Sequence, residues 1–161
     1  MTPTRNPALH PVLDHAWIAA RIPHQGSMCL LDSVADWSIE HIVCRAVGHT
    51  DPAHPLRAAG RLGAANGIEY AAQAMAVHGA LLASTVVDAN ANAAPRQGYL
   101  TSVRSVGLHL ERLDDLQGAL SVRAERVSGD KNQLLYRFTL HHGERCLLEG
   151  RAAVVLDADR L

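Results

Sequence analysis

The sequence predicts an α+β fold in which one long helix lies against an antiparallel sheet, and three observations lead there. Only one stretch, residues 67–83, sustains helical spacing, with Ile68, Ala71, Ala72, Met75, Gly79 and Leu82 recurring on one side. From Gly98 onward the period changes to two, over residues 99–106, 119–127, 134–140 and 145–156. Helix and strands are segregated along the chain and do not alternate, which is the order of an α+β domain and not of a βαβ array.

The elements follow in order. Residues 1–10 read as a loose tail, and residues 10–20 as a short helix with Pro11 in its first turn and Leu13, Trp17 and Ile18 on one side. Pro23 and Gly26 punctuate the next segment, and residues 28–31 form a short apolar run. Residues 37–47 are enriched in β-branched residues and alternate, which predicts a single strand. Residues 49–66 predict a loop carrying Pro52, Pro55, Gly60 and Gly63, long enough to be a functional candidate. After the helix, residues 88–97 read as a linker closed by Pro95. Turn signals at 114–118, 128–132 and 141–143 predict an antiparallel meander, the last two being hairpins. The expected division is 1–17 for the tail and short helix, 18–156 for the folded domain and 157–161 for a C-terminal tail.

Composition narrows the function classes. A chain of 161 residues makes one domain and buries enough surface to need neither disulfide nor metal. Aromatic residues are only 4%, so the core rests on Ala, Val, Leu and Ile, which suits a slim helix packed closely on a sheet. A formal charge of −1 offers no footprint for nucleic acid or an anionic membrane. Cys29, Cys44 and Cys146 lie in apolar runs with no CxxC spacing, as expected of free thiols in a reducing compartment. With neither a signal-peptide pattern nor a membrane-length apolar run, the expectation is a soluble, cytoplasmic protein.

The candidate chemistry centres on His54 in the long loop and Glu69 in the first turn of the helix. A neutral imidazole suits abstraction of a weakly acidic proton, and a carboxyl group in an apolar site can serve as an acid. The helix start, near Gly63 and Asn66, offers backbone N–H groups to polarise a carbonyl. Together they would suffice to eliminate water from a 3-hydroxyacyl compound. The bland alternative stands beside this reading: Asn66 and Glu69 have capping-box spacing, and His54 could be a solvent-facing loop histidine. The sequence has ten histidines, yet no pair of them shows the helical spacing with an intervening Glu of a hydrolytic zinc site, so no metal is expected. No G-x-S-x-G marks a nucleophile.

Two segments resemble a known family. IPHQGSMCLLDSV is similar to the segment that opens the hot-dog 3-hydroxyacyl-[acyl-carrier-protein] dehydratases of fatty-acid synthesis, through Ile22, Pro23, His24, Leu30, Leu31 and Asp32. GIEYAAQAMAVHG resembles that family's central helix through Glu69, Ala72, Gln73 and Ala74, and looks closest to the subgroup of aryl-polyene gene clusters. The resemblance spans about residues 18–156. The loop after His54 departs from the family's Phe-Pro-Gly, and residues 62–66, LGAAN, replace the subgroup's Leu-Pro-Ala-Trp-Val.

The resemblance implies a hot-dog fold, a curved antiparallel sheet wrapped around the central helix, with subunits paired edge to edge as a homodimer or with a second hot-dog dehydratase. It implies active sites at the dimer interface, where His54 of one chain removes the C2 proton and Glu69 of the other protonates the departing hydroxyl. Gln73 would orient Glu69, and Gly63 and Asn66 would mark the substrate-binding helix start. No cofactor is implied beyond the phosphopantetheine that carries the substrate, on acyl carrier protein or as acyl-CoA. His24 is assigned to holding its segment near the acyl tunnel, and His49 is the reserve for His54. Two other functions are compatible with the same fold: a non-catalytic subunit paired with an active dehydratase, and an acyl-thioesterase in which a helix carboxylate activates water.

Overall fold

The computed structural model describes residues 12–85, 98–130 and 132–156. The expected tails at 1–10 and 157–161 and the linker at 88–97 lie outside the described residues. The first described element is α1 (His15–Ala19), whose Asp14 side chain accepts from the Trp17 N–H as an N-cap. Its Ile18 is fully buried, so this short helix shares the core of the sheet.

Residues 37–47 do not form one strand. The chain turns at residues 38–40, separating β1 (Ser33–Trp37) from β2 (His41–Ala46), and the two pair antiparallel. Ser38 makes the reversal: its hydroxyl accepts from the Glu40 and His41 N–H groups. Serine readily bonds its own backbone in this way, which an apolar alternation pattern does not register.

The helix α2 runs over Gly67–Thr85, followed by β3 (Gly98–Leu108), β4 (Leu120–Gly129), β5 (Gln133–His142) and β6 (Arg145–Leu156). The six strands form one antiparallel sheet in the order β1-β2-β4-β5-β6-β3. The β4–β5 and β5–β6 hairpins match the sequence expectation. The four-strand meander is corrected: β3 does not neighbour β4 but crosses to the far edge beside β6. The crossover occupies residues 109–119, where Leu113 N–H bonds to Leu62 O and Ala64 N–H to Glu111 O. Those bonds tie the crossover to the long loop, a long-range pairing that local turn signals do not reveal.

The inward faces show why these segments are strands. Ile42, Cys44 and Ala46 of β2 alternate into the core, as do Leu120, Val122 and Ala124 of β4 and Tyr136, Phe138 and Leu140 of β5. Against them α2 buries Tyr70, Ala71, Ala74, Val77 and Leu81. Small residues let the helix approach closely. At Gly67 a Cβ would overlap Leu148 of β6 and sit 2.9 Å from Leu140 of β5.

One buried polar side chain fastens the helix to the chain that crosses it. Gln73, fully buried, accepts the Leu30 N–H at 2.9 Å and donates to Met28 O at 2.7 Å. Residues 28–30 are not in the sheet, so Gln73 supplies backbone partners that a strand neighbour would otherwise provide. Gln73→Met keeps the volume and removes both partners, stranding two backbone groups. At about 1–3 kcal/mol for each buried group, the expected loss is roughly 2–6 kcal/mol, read as a lower urea midpoint with an unchanged slope.

Candidate functional site

The site is built where the long loop meets the first turn of α2. A short 3-10 turn, Ala64–Asn66, runs straight into Gly67, and Asn66 donates from its side chain and its backbone to Gly63 O at 3.0 and 3.1 Å. The capping-box alternative is therefore not what forms: the Asn66 N–H is taken by Gly63, and Glu69 does not turn back to it. Bonds from Ala64 N–H and to Leu62 O flank Gly63. Among the described residues none accepts from the Gly63 N–H itself.

Glu69 faces outward from the first turn, its side chain 33% exposed. Gln73, one turn along, donates to Oε1 at 3.1 Å, and His24 Nε2 approaches the same oxygen at 3.0 Å. Both contacts fall on Oε1, and among the described residues none bonds to Oε2. His24 is thus more than a support for its own segment: it holds the helix carboxylate. The Pro-His motif signals the residue in sequence, but not that its partner lies forty-five positions away.

His54 is 7% exposed. Its Nε2 lies 2.9 Å from Tyr70 Oη, with the two rings stacked at a 24° interplanar angle. Its Nδ1 accepts the Leu56 N–H at 3.1 Å. A backbone N–H can only donate, so the neutral ring carries its proton on Nε2 and gives it to Tyr70. Burial lowers the His54 pKa below the ordinary imidazole value, with Arg57 and His49 acting in the same direction and Asp51 opposing. The expectation that His54 is the base meets this obstacle: a base needs a bare nitrogen, and in this chain neither ring nitrogen is bare. His54 is not a solvent-facing histidine either. Tyr70 was absent from the candidate residues because it reads as one more core aromatic.

The loop that carries His54 is held by Asp114, which sequence reasoning also missed. Its carboxylate takes Arg57 at 2.7 Å and the guanidinium of Arg112, and accepts the Leu62 N–H at 3.0 Å. Arg57 also donates to Gly60 O, next to a tight turn with positive φ at Ala59 and Gly60. His49, the reserve candidate, is fully buried, and its Nε2 donates to Leu116 O at 2.7 Å, so it anchors the loop to the crossover.

A cleft of about 460 Å³ opens beside the helix start, lined by Arg61, Gly63, Ala64, Ala65, Leu108 and Leu110 among others. Neither His54 nor Glu69 lines it. Among the described residues one trio, His109, Cys146 and Glu149, places possible metal-ligand atoms within 4.8 Å of one another. It lies on β6 and just beyond β3, and includes none of the site residues. No described helix is long and apolar enough to cross a membrane.

The family model of ApeP-like proteins, described as ApeP dehydratase, matches residues 16–160. No curated protein matches. Among solved structures, the dehydratase heterocomplex ApeI:P from Xenorhabdus doucetiae is similar at TM-score 0.75 and 21% identity, covering 89% of this chain and 92% of that one. A thioesterase from Staphylococcus aureus is similar at TM-score 0.55 and 14% identity, over 77% and 91% of the two chains. A hypothetical thioesterase from Streptococcus pneumoniae gives TM-score 0.55 at 10% identity, over 78% and 88%. At such identities the likeness is one of fold, and the fold is the hot-dog: an open six-stranded antiparallel sheet against one long helix.

The Asp114 cluster has a pH signature. Arg112, and after it the Leu62 N–H, hold the Asp114 carboxyl well below the usual carboxylate range against the opposing effect of burial. A depressed folded-state value means that protons prefer the unfolded chain. The stabilisation is therefore complete above about pH 4, the ordinary carboxylate value, and is lost as pH falls below it. Asp114→Asn is expected to be less stable at neutral pH and to lose less on acidification. Urea midpoints measured at about pH 7, 4 and 3 check both.

Proposed function

This chain belongs to the ApeP-like dehydratase family, and we propose that it dehydrates a 3-hydroxyacyl thioester, carried on acyl carrier protein or coenzyme A, to the trans-2-enoyl thioester. The observation that carries this reading is the Glu69 carboxylate. It is held on one oxygen by Gln73 and His24 in the first turn of α2, six residues after the Gly63 N–H, from which no described residue accepts. Glu69 would deliver the proton that lets the 3-hydroxyl leave as water. Gly63 N–H, at the helix approach, would bind the thioester oxygen where charge develops. The cleft beside Gly63 is open on one side and apolar along Leu108 and Leu110, which suits the pantetheine arm and the start of the acyl chain.

The site is completed by a second hot-dog subunit in this reading. The edge strand β3 supports it: eleven residues long, with Tyr99, Leu100, Val106 and Leu108 all 39–47% exposed. Such an edge is a template for strand pairing. In this reading the His54 loop of one subunit faces Glu69 of the other, as the family resemblance implies.

A second reading is favoured by the engagement of both His54 nitrogens and by the heterocomplex form of the dehydratase neighbour. In it this chain pairs with a different, active hot-dog subunit and contributes no chemistry of its own.

Incubation with a 3-hydroxyacyl carrier protein, read by intact mass, separates these readings. Loss of one water with the chain alone is expected, and Glu69→Gln should lower that rate by about 10²–10⁴-fold, the range for removal of a general acid or base. Dehydration that needs a co-expressed partner and survives Glu69→Gln would establish the accessory role. Release of the whole acyl group would make the protein a thioesterase.

A further inference from the structure

Two irregularities in the sheet gather ligand-type side chains on the face turned away from α2. In β6, Cys146 pairs with His141 and Leu148 with Leu140, so Leu147 is an extra residue and the strand bulges. Leu147 and Leu148 are consequently both buried, and Leu148 points at Gly67 of α2. In a regular strand, residues three apart point to opposite faces. The bulge cancels that offset. Cys146, opposite His141, and Glu149, opposite Thr139, come to share the face that Leu140 and Leu148 turn away from.

The neighbouring strand brings a third group. In β3 an extra residue between Arg104 and Gly107, where Ser105 takes a positive φ of 54°, shifts the register so that Gly107 stands opposite Glu149. His109 follows two residues on. Its N–H bonds to Leu147 O at 2.9 Å, and Arg145 donates to its carbonyl at 3.4 Å, so its backbone is fixed against β6. Gly107 leaves space for the ring. A Cβ there would lie 3.4 Å from His109 Cε1 and Nε2 and 3.5 Å from Glu149 Cγ. A glycine thus lies between the imidazole and the carboxylate stem, where a larger side chain would separate them.

We propose that His109, Cys146 and Glu149 bind a divalent cation of the zinc class, with a fourth coordination position left to water or a small ligand. One imidazole nitrogen, Cys146 Sγ and one Glu149 oxygen all lie within 4.8 Å of one another. Sγ and Oε2 are 3.9 Å apart. With Zn–S about 2.3 Å and Zn–O about 2.1 Å, tetrahedral ligation sets that pair about 3.6 Å apart. Rotation of the exposed Glu149 side chain supplies the difference. The donor set selects the ion: thiolate and imidazole suit zinc and cobalt, whereas magnesium and calcium want oxygen alone. On binding, the Sγ–H bond breaks, its proton goes to solvent and the sulfur electron pair forms the bond to the metal. Cys146 is only partly covered, while Cys29 and Cys44 are buried. The ion would tie β6 to the start of the crossover at 109–119. Ligand spacing along the chain does not announce this site, because it joins one residue of the crossover to two that only a bulge places on one face. It shares no residue with the dehydratase reading, and neither depends on the other.

Titration of the full chain with Co²⁺ tests this. The first equivalent should produce a thiolate-to-cobalt charge-transfer band in the near ultraviolet, together with the visible bands of a tetrahedral ion, and excess Zn²⁺ should remove both. Cys146→Ser should abolish the charge-transfer band. His109→Ala and Glu149→Gln should each weaken Co²⁺ binding by at least about tenfold, since loss of a mere supporting contact already costs that much. All three changes are at or near the surface, and circular dichroism checks that the fold is kept. Visible bands without the thiolate band are what adventitious binding to other histidines gives, and they overturn the proposal. So does a charge-transfer band that survives Cys146→Ser, or no spectral change at millimolar Co²⁺. As a second readout, Zn²⁺ should raise the urea midpoint of the unmodified chain and leave that of Cys146→Ser where it was. An equal rise in both would place the stabilising ion elsewhere and overturn the assignment.

Discussion

The buried amide of Gln73 is the interaction on which the rest of the arrangement depends. It makes three hydrogen bonds with its two ends: the oxygen to Leu30 N–H, the nitrogen to Met28 O and to Glu69 Oε1. A side chain with only a donor or only an acceptor could not do this. The first two bonds hold the segment that carries His24 across the helix. The third fixes the carboxylate that His24 then reaches from the other side. Core packing and site geometry are therefore set by the same residue.

A second constraint comes from the long loop, which has little regular structure to hold it. Asp114 supplies what a strand would otherwise give, binding Arg57, Arg112 and the Leu62 N–H from a crossover far away in sequence. His49 adds a buried bond to Leu116 O of the same crossover. Held at both ends, the loop carries His54 against Tyr70, and the ring is buried. The β3 edge and the cleft at the helix start lie outside this clamp and are exposed.

Much of the fold was legible, for identifiable reasons. The alanine-rich helix at 67–83 has one period, and the structure extends it by two residues to Thr85. The β4–β5 and β5–β6 hairpins follow from short turns between alternating runs. The split of residues 37–47 was missed because Ser38 reverses the chain by bonding its own backbone, leaving the apolar alternation on either side intact. The place of β3 was missed because adjacency in sequence does not fix adjacency in a sheet. What moves β3 to the far edge is the crossover at 109–119 and its bonds to residues 62–64.

For the site, the sequence by itself determined the chemical inventory: a helix carboxylate at Glu69, a loop histidine at His54, an amide one turn from the carboxylate at Gln73, and glycine before the helix start. Residue type and local spacing suffice for these, since i, i+4 contacts on a helix are fixed by its pitch. The state of each group was decided only by tertiary structure. That His24 meets Glu69, that Tyr70 takes the His54 proton and that Asp114 clamps the loop are contacts between residues 16 to 57 positions apart. Proton positions depend on which donors and acceptors surround a ring, and those neighbours are assembled by the fold.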